Sequence, residues 1–125
     1  MDSKAWSQLA AQTALDKRAT NVVILDLQKL TIVCDYFVIC TVRNPLQAKA
    51  VAEGLLEKRH ETGRAPNHIE GLATGSWVLM DYGDVIVHVF MPEERSFYDL
   101  ERLWADAKAE QLEEVVADLR QMRQS

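Results

Sequence analysis

Apolar positions are most sharply patterned between Trp77 and Phe90, where two runs rich in β-branched residues meet at Asp81-Tyr82-Gly83-Asp84. Gly83 can supply the positive φ of a tight reversal, so the stretch predicts a β-hairpin at the centre of a small sheet. Alternation along its first strand puts Trp77, Leu79 and Asp81 on one face and Val78 and Met80 on the other. The second strand, Val85 to Met91, is apolar at nearly every position, which predicts cover on both faces. His88 is the exception within it.

The rest of the chain reads as layers on this hairpin. Residues 3–18 predict a helix with Ser3 as N-cap and Trp6, Leu9, Ala10 and Thr13 at helical spacing. Asn21 to Leu27 and Tyr36 to Thr41 predict strands, the latter too apolar to face water on one side. Asn44-Pro45-Leu46-Gln47 opens a helix with an N-cap, a first-turn Pro and a capping-box Gln, and Gly63 closes it. Arg64 to Ser76 is mostly loop, with Asn67 to Gly71 offering a short edge strand. Pro92 ends the hairpin, and Glu93 or Ser96 helps start a helix to about Ala107 that carries Phe97, Tyr98 and Trp104. Leu112, Val115, Val116, Leu119 and Met122 predict a last amphipathic helix, so the chain divides into a domain over 1–107 and an extension over 108–125. This order implies an α/β or α+β single domain, a mixed sheet flanked by helices.

Charge and cysteine usage narrow the function classes. A net charge of −5 over 125 residues disfavours bare nucleic acid and favours a basic partner. No apolar run approaches a membrane span, and Met1-Asp2-Ser3 has neither a basic signal-peptide start nor an Arg-rich transit-peptide start. Cys34 and Cys40 lack CxxC spacing and stand in apolar context, which predicts buried thiols and a reducing cytosol rather than a disulfide or zinc site.

Candidate chemistry is sparse. Asp81 and Asp84 bracket the turn, where two carboxylates can bind a divalent metal or share acid/base work. Turn chemistry explains the same pair, since Asp bonds locally at reversals. No spacing links them to Asp26 or Asp35. No nucleophile accompanies His88, which reads as a hydrogen-bonded core histidine, and His60 and His68 fall in polar or loop positions. Thr41-Val-Arg-Asn-Pro45 joins a strand to a helix N-terminus as phosphate loops do, but without a Gly. Trp77, Tyr82 and Tyr98 are the aromatics of interest, because Trp and Tyr anchor protein interfaces and Trp77 shares a face with a carboxylate. The sequence therefore reads as a binding protein that needs no cofactor.

A resemblance sharpens that reading. Glu70-Gly71, the hairpin Trp77-Val-Leu-Met-Asp-Tyr-Gly-Asp-Val-Ile-Val-His-Val-Phe90, Glu94-Arg95 and Phe97-Tyr-Asp-Leu-Glu-Arg-Leu-Trp104 resemble the ribosomal silencing factor (Iojap-like) family. Val23 to Leu27, Asp35 to Thr41 and Gln47 extend the match to about residues 4–107. The resemblance implies a nucleotidyltransferase-like fold without catalytic equipment. It also implies a cytoplasmic repressor that binds the large ribosomal subunit through protein L-fourteen and sterically blocks the small subunit from joining. Trp77, Tyr82 and Tyr98 would then be aromatic anchors, Asp81, Asp84 and Glu94 acidic partners, and Arg95 a cationic counterpart. Where the family usually has a small residue and a Ser-containing loop after the pair matching Cys40-Thr41, this chain has Val42-Arg43-Asn44-Pro45. The rival enzyme reading is a nucleotidyltransferase-like activity using Asp81 and Asp84 with Mg²⁺. A homodimer through the tail from Leu112 or through a sheet edge is a third.

Overall fold

The computed structural model describes residues 1–105. The amphipathic segment from Leu112 therefore lies outside the described residues. Three helices and two strands open the chain: α1 (Ser3–Asp16), β1 (Thr20–Asp26), β2 (Tyr36–Thr41), α2 (Pro45–Glu57) and the short α3 (Arg59–Thr62). β3 (His68–Glu70), β4 (Trp77–Asp81), β5 (Val85–Phe90), α4 (Pro92–Tyr98) and α5 (Leu100–Ala105) follow.

The strands form one mixed sheet in the order β1-β2-β5-β4-β3. β2 and β5 pair in parallel, Tyr36 opposite Val85 through Thr41 opposite Phe90, and the other neighbours are antiparallel. All six residues of β2 and all six of β5 are buried, as their unbroken apolar runs require of central strands. The hairpin closes with Tyr82 N–H donating to the Val85 carbonyl, and Gly83 takes φ +88°.

Each face of the sheet has its own core. On the first, α1 and α2 lay Trp6, Ala10, Ala14, Ala48, Val51, Ala52 and Leu55 over the sheet. Beneath them lie Tyr36, Val38, Cys40, Val78, Met80, Val85, Val87 and Val89. The run of alanines lets the two helices sit close to each other and to the strands. On the second face, Leu25, Phe37, Ile39, Leu79, Ile86 and Phe90 are covered by Leu27, Cys34 and Leu100, with Leu30, Val33 and Trp77 partly buried around them. The predicted alternation in β4 thus holds, and the two cysteines fall on opposite faces of the sheet.

Three local expectations are corrected. α1 is capped by Asp2, whose Oδ1 accepts from Ala5 N–H at 2.7 Å, while the Ser3 hydroxyl turns to Asp35 Oδ2 at 2.8 Å. Gln47 does reach back over the start of α2, but its Oε1 accepts from Arg43 N–H, one residue before the Asn44 cap. The helix expected from residue 93 to Ala107 is capped by neither Glu93 nor Ser96. It starts at Pro92 behind Met91 and breaks at Asp99, which adopts φ +45° between α4 and α5. Asp tolerates that left-handed region better than most residues.

Candidate functional site

The seven residues expected at a docking surface separate into two groups at opposite ends of the hairpin. Four residues of strand rise, roughly 13 Å, part Trp77 from Asp81. At the turn, Asp81 is 2% exposed and its Oδ1 accepts from Gly83 N–H at 2.7 Å, so its carboxylate organises the reversal. Tyr82 is buried beneath α1, its ring 4.7 Å from that of Trp6, and burial pushes its phenol up to about 12. Asp84 is paired with Arg64, whose guanidinium also lies 5.6 Å from the centre of the Trp6 ring. These three side chains hold α1, the hairpin turn and the loop after α3 together. Among the described residues, no group of three or more His, Cys, Asp or Glu is arranged to hold a metal ion.

Trp77, Glu94, Arg95 and Tyr98 gather at the other end. The Trp77 indole stacks on Phe90 at 5.0 Å below and meets Tyr98 at 4.3 Å above. Tyr98 in turn meets Phe97 edge-on at 5.1 Å. A column of rings therefore runs from the core to the surface, where Tyr98 is 44% and Phe97 81% exposed. Arg95 points the other way. It donates to the Asn21 carbonyl and to Thr41 Oγ1 at 2.8 Å, and pairs with Glu101 at 2.9 Å. It is thus an internal clamp that fixes α4 on the ends of β1 and β2, with Glu101 as its carboxylate partner.

Around the exposed rings the surface is acidic. Glu93, Glu94, Phe97 and Tyr98 border a shallow depression of about 340 Å³. Glu93 and Glu94 also border a second of about 380 Å³, with Arg43, Pro45, Ser76, Met91 and Pro92. Leu46 is 77% exposed one residue beyond Pro45. Two carboxylates beside two outward aromatics suit a partner that offers cationic side chains next to apolar ones. Phe97, named above among the aromatics of its helix, is not one of the seven residues expected at the docking surface. The signal was present: Phe97 stands one helical turn after Glu93 in a short charged helix, where burial does not call for an aromatic.

His88 lies at the foot of the ring column and is fully buried. Its Nδ1 accepts from the Trp77 indole N–H at 3.2 Å, and the Phe37 ring is 4.6 Å away. Burial lowers its pKa to about 3, against a weaker opposing pull from Asp81. The folded state therefore resists a proton that the unfolded chain accepts below its ordinary value near 6.5. Stability from this residue is complete above pH 6.5 and is lost as the pH falls from there toward 3. Urea unfolding between pH 6.5 and 4 should show a loss of up to about 1.4 kcal/mol per pH unit that His88→Phe lacks. Parallel pH profiles for the two proteins would contradict this assignment.

Comparison with known proteins adds an independent line. The profile of the family described as "ribosomal silencing factor during starvation" matches residues 1–125. The ribosomal silencing factor RsfS of Bacillus subtilis is 41% identical over 107 residues, covering 86% of this chain and 91% of that protein. The chloroplastic protein Iojap of Zea mays is 31% identical over 102 residues, 78% of this chain and 42% of the plant protein. A crystal structure of a Chromobacterium violaceum protein superposes with a TM-score of 0.79 at 36% identity, covering 84% of this chain and 88% of that one.

Proposed function

This chain belongs to the ribosomal silencing factor family, and on that footing we propose that it represses translation by occupying the large ribosomal subunit through protein L-fourteen. The bound domain fills volume that the small subunit needs, so the two subunits fail to join. The observation that carries this reading is the outward end of the ring column, Tyr98 and the 81%-exposed Phe97 flanked by Glu93 and Glu94. Such a surface matches a basic ribosomal protein in sign and in apolar character, and the chain's net charge of −5 agrees with it. Trp77 supports the surface from below, and Glu94 is an acidic partner within it. The protein works in the cytoplasm, without a cofactor and without catalysing a reaction, because exclusion requires only affinity and placement. Among the described residues no helix is long and apolar enough to cross a membrane.

Co-sedimentation of the purified protein with isolated large and small subunits, followed by addition of the missing subunit, tests the proposal. Migration with the large subunit alone and failure of the joined particle to form are the expected results. Protein left at the top of the gradient with both subunits would overturn it. The outer strands β1 and β3 also support a homodimer reading, which a sedimentation coefficient that stays at the monomer value over all concentrations would refute.

A further inference from the structure

We propose that His88, which never reaches the surface, is a positioning residue for docking: its imidazole holds the Trp77 indole in the plane on which Tyr98 and Phe97 stand. The inference rests on the docking surface described above and names what sets its geometry. His88 occupies the middle of β5, opposite Ile39 on one side and Leu79 on the other, with no exposure to solvent. A position with only packing to serve is best filled by an apolar residue, because a buried polar group is costly unless it is bonded. His88 carries that cost visibly. Its Nε2 finds no hydrogen-bond partner among the described residues, while its Nδ1 accepts from Trp77 Nε1 at 3.2 Å.

Those two facts fix the tautomer. An Nδ1 that accepts an N–H bears no proton, so the proton of the neutral ring sits on Nε2. The imidazole is thereby a dedicated acceptor for one indole, held between the rings of Phe37 at 4.6 Å and Phe90 at 5.8 Å. Trp77 needs such a hold. It is the first residue of β4, it follows the loop from Gly71 to Ser76, and it is only partly buried. Stacking on Phe90 leaves an indole free to slide and turn in its plane, whereas a directed N–H···N bond does not. Tyr98, 4.3 Å from that indole, inherits the orientation and passes it to Phe97.

The test compares His88→Phe, which keeps a ring but removes the acceptor, with His88→Asn, whose side-chain oxygen can stand near the Nδ1 position. Two readouts are taken: the indole N–H resonance of Trp77, and the affinity for large ribosomal subunits by co-sedimentation. In His88→Phe the resonance should move upfield and exchange faster, and affinity should fall about tenfold, the worth of one hydrogen bond. His88→Asn should restore both in large part, which general loss of packing would not allow. An unchanged resonance and affinity in His88→Phe would overturn the proposal, as would an Asn variant no better than Phe. If His88→Phe does not fold, Trp77→Phe removes the donor instead and should show the same tenfold loss; undiminished affinity there overturns the role equally. Wild-type protein that binds no large subunit would sink the docking surface itself, whereas a lost Trp77 bond with intact binding would sink only the link from His88 to affinity.

Discussion

Replacing both Phe97 and Tyr98 by Ala is expected to lower affinity for the large ribosomal subunit at least about a hundredfold while the protein stays folded. Interface aromatics of this kind each contribute on the order of 2 kcal/mol when truncated, or roughly thirtyfold. Phe97 is 81% exposed, so its removal takes little from the core. Tyr98 loses its contact with Trp77, a stability cost of about 1 kcal/mol. Titrated co-sedimentation gives the affinity, and urea unfolding gives the fold. Full binding by a cooperatively folding double variant would place the docking surface elsewhere on the molecule.

The largest stability loss is expected from Trp6→Ala. Trp6 is 0% exposed, seals the α1 side of the sheet, and presses against Tyr82 with the Arg64 guanidinium over its own ring. Truncating a buried aromatic of this size costs about 3–5 kcal/mol, from lost burial and the cavity left behind. Small domains have only about 5–15 kcal/mol in total, so the variant should unfold at a much lower denaturant midpoint with a similar slope. A loss under about 1 kcal/mol would mean that α1 is not what closes that face. The experiment also isolates the turn cluster, since Trp6 touches Tyr82 and Arg64 but lies on the opposite side of the sheet from the ring column.

What the sequence disclosed about this fold was whatever depends on near neighbours in the chain. Strand alternation assigned Trp77 and Leu79 to one face and Val78 and Met80 to the other, because period-two geometry acts over two residues. Asn44 was readable as a cap for the same reason, its Oδ1 accepting from Gln47 N–H at 2.8 Å. Tyr82 and Asp81 were harder. Polar residues in a tight turn look exposed by composition, and nothing within the hairpin says that α1 will bring Trp6 down upon Tyr82. The break at Asp99 is likewise a tertiary outcome. Arg95 is drawn to Asn21, Thr41 and Glu101, residues from three other elements, and periodicity in residues 92–107 carries no trace of them. Trp77 reads from composition as an interface aromatic, whereas the geometry shows its inward ties, packed on Phe90 and bonded to His88, with Tyr98 against its outer side.

The order of the sheet also governs when the molecule can come into being. Its central strand is β5, and the parallel pairing of β5 with β2 joins Tyr36 to Val85 across the α2, α3, β3 and β4 segments. Neither strand has both of its edges paired until the other has been made. A nascent chain that has released α1, β1 and β2 therefore holds the apolar run from Tyr36 to Thr41 with one flank open, and it waits for Phe90 before the centre can close. Long-range pairings of this kind raise the entropic barrier to folding and prolong the exposure of sticky segments. Truncations that stop short of β5 should accumulate as aggregates, and the native state arrives late in synthesis, nearly all at once.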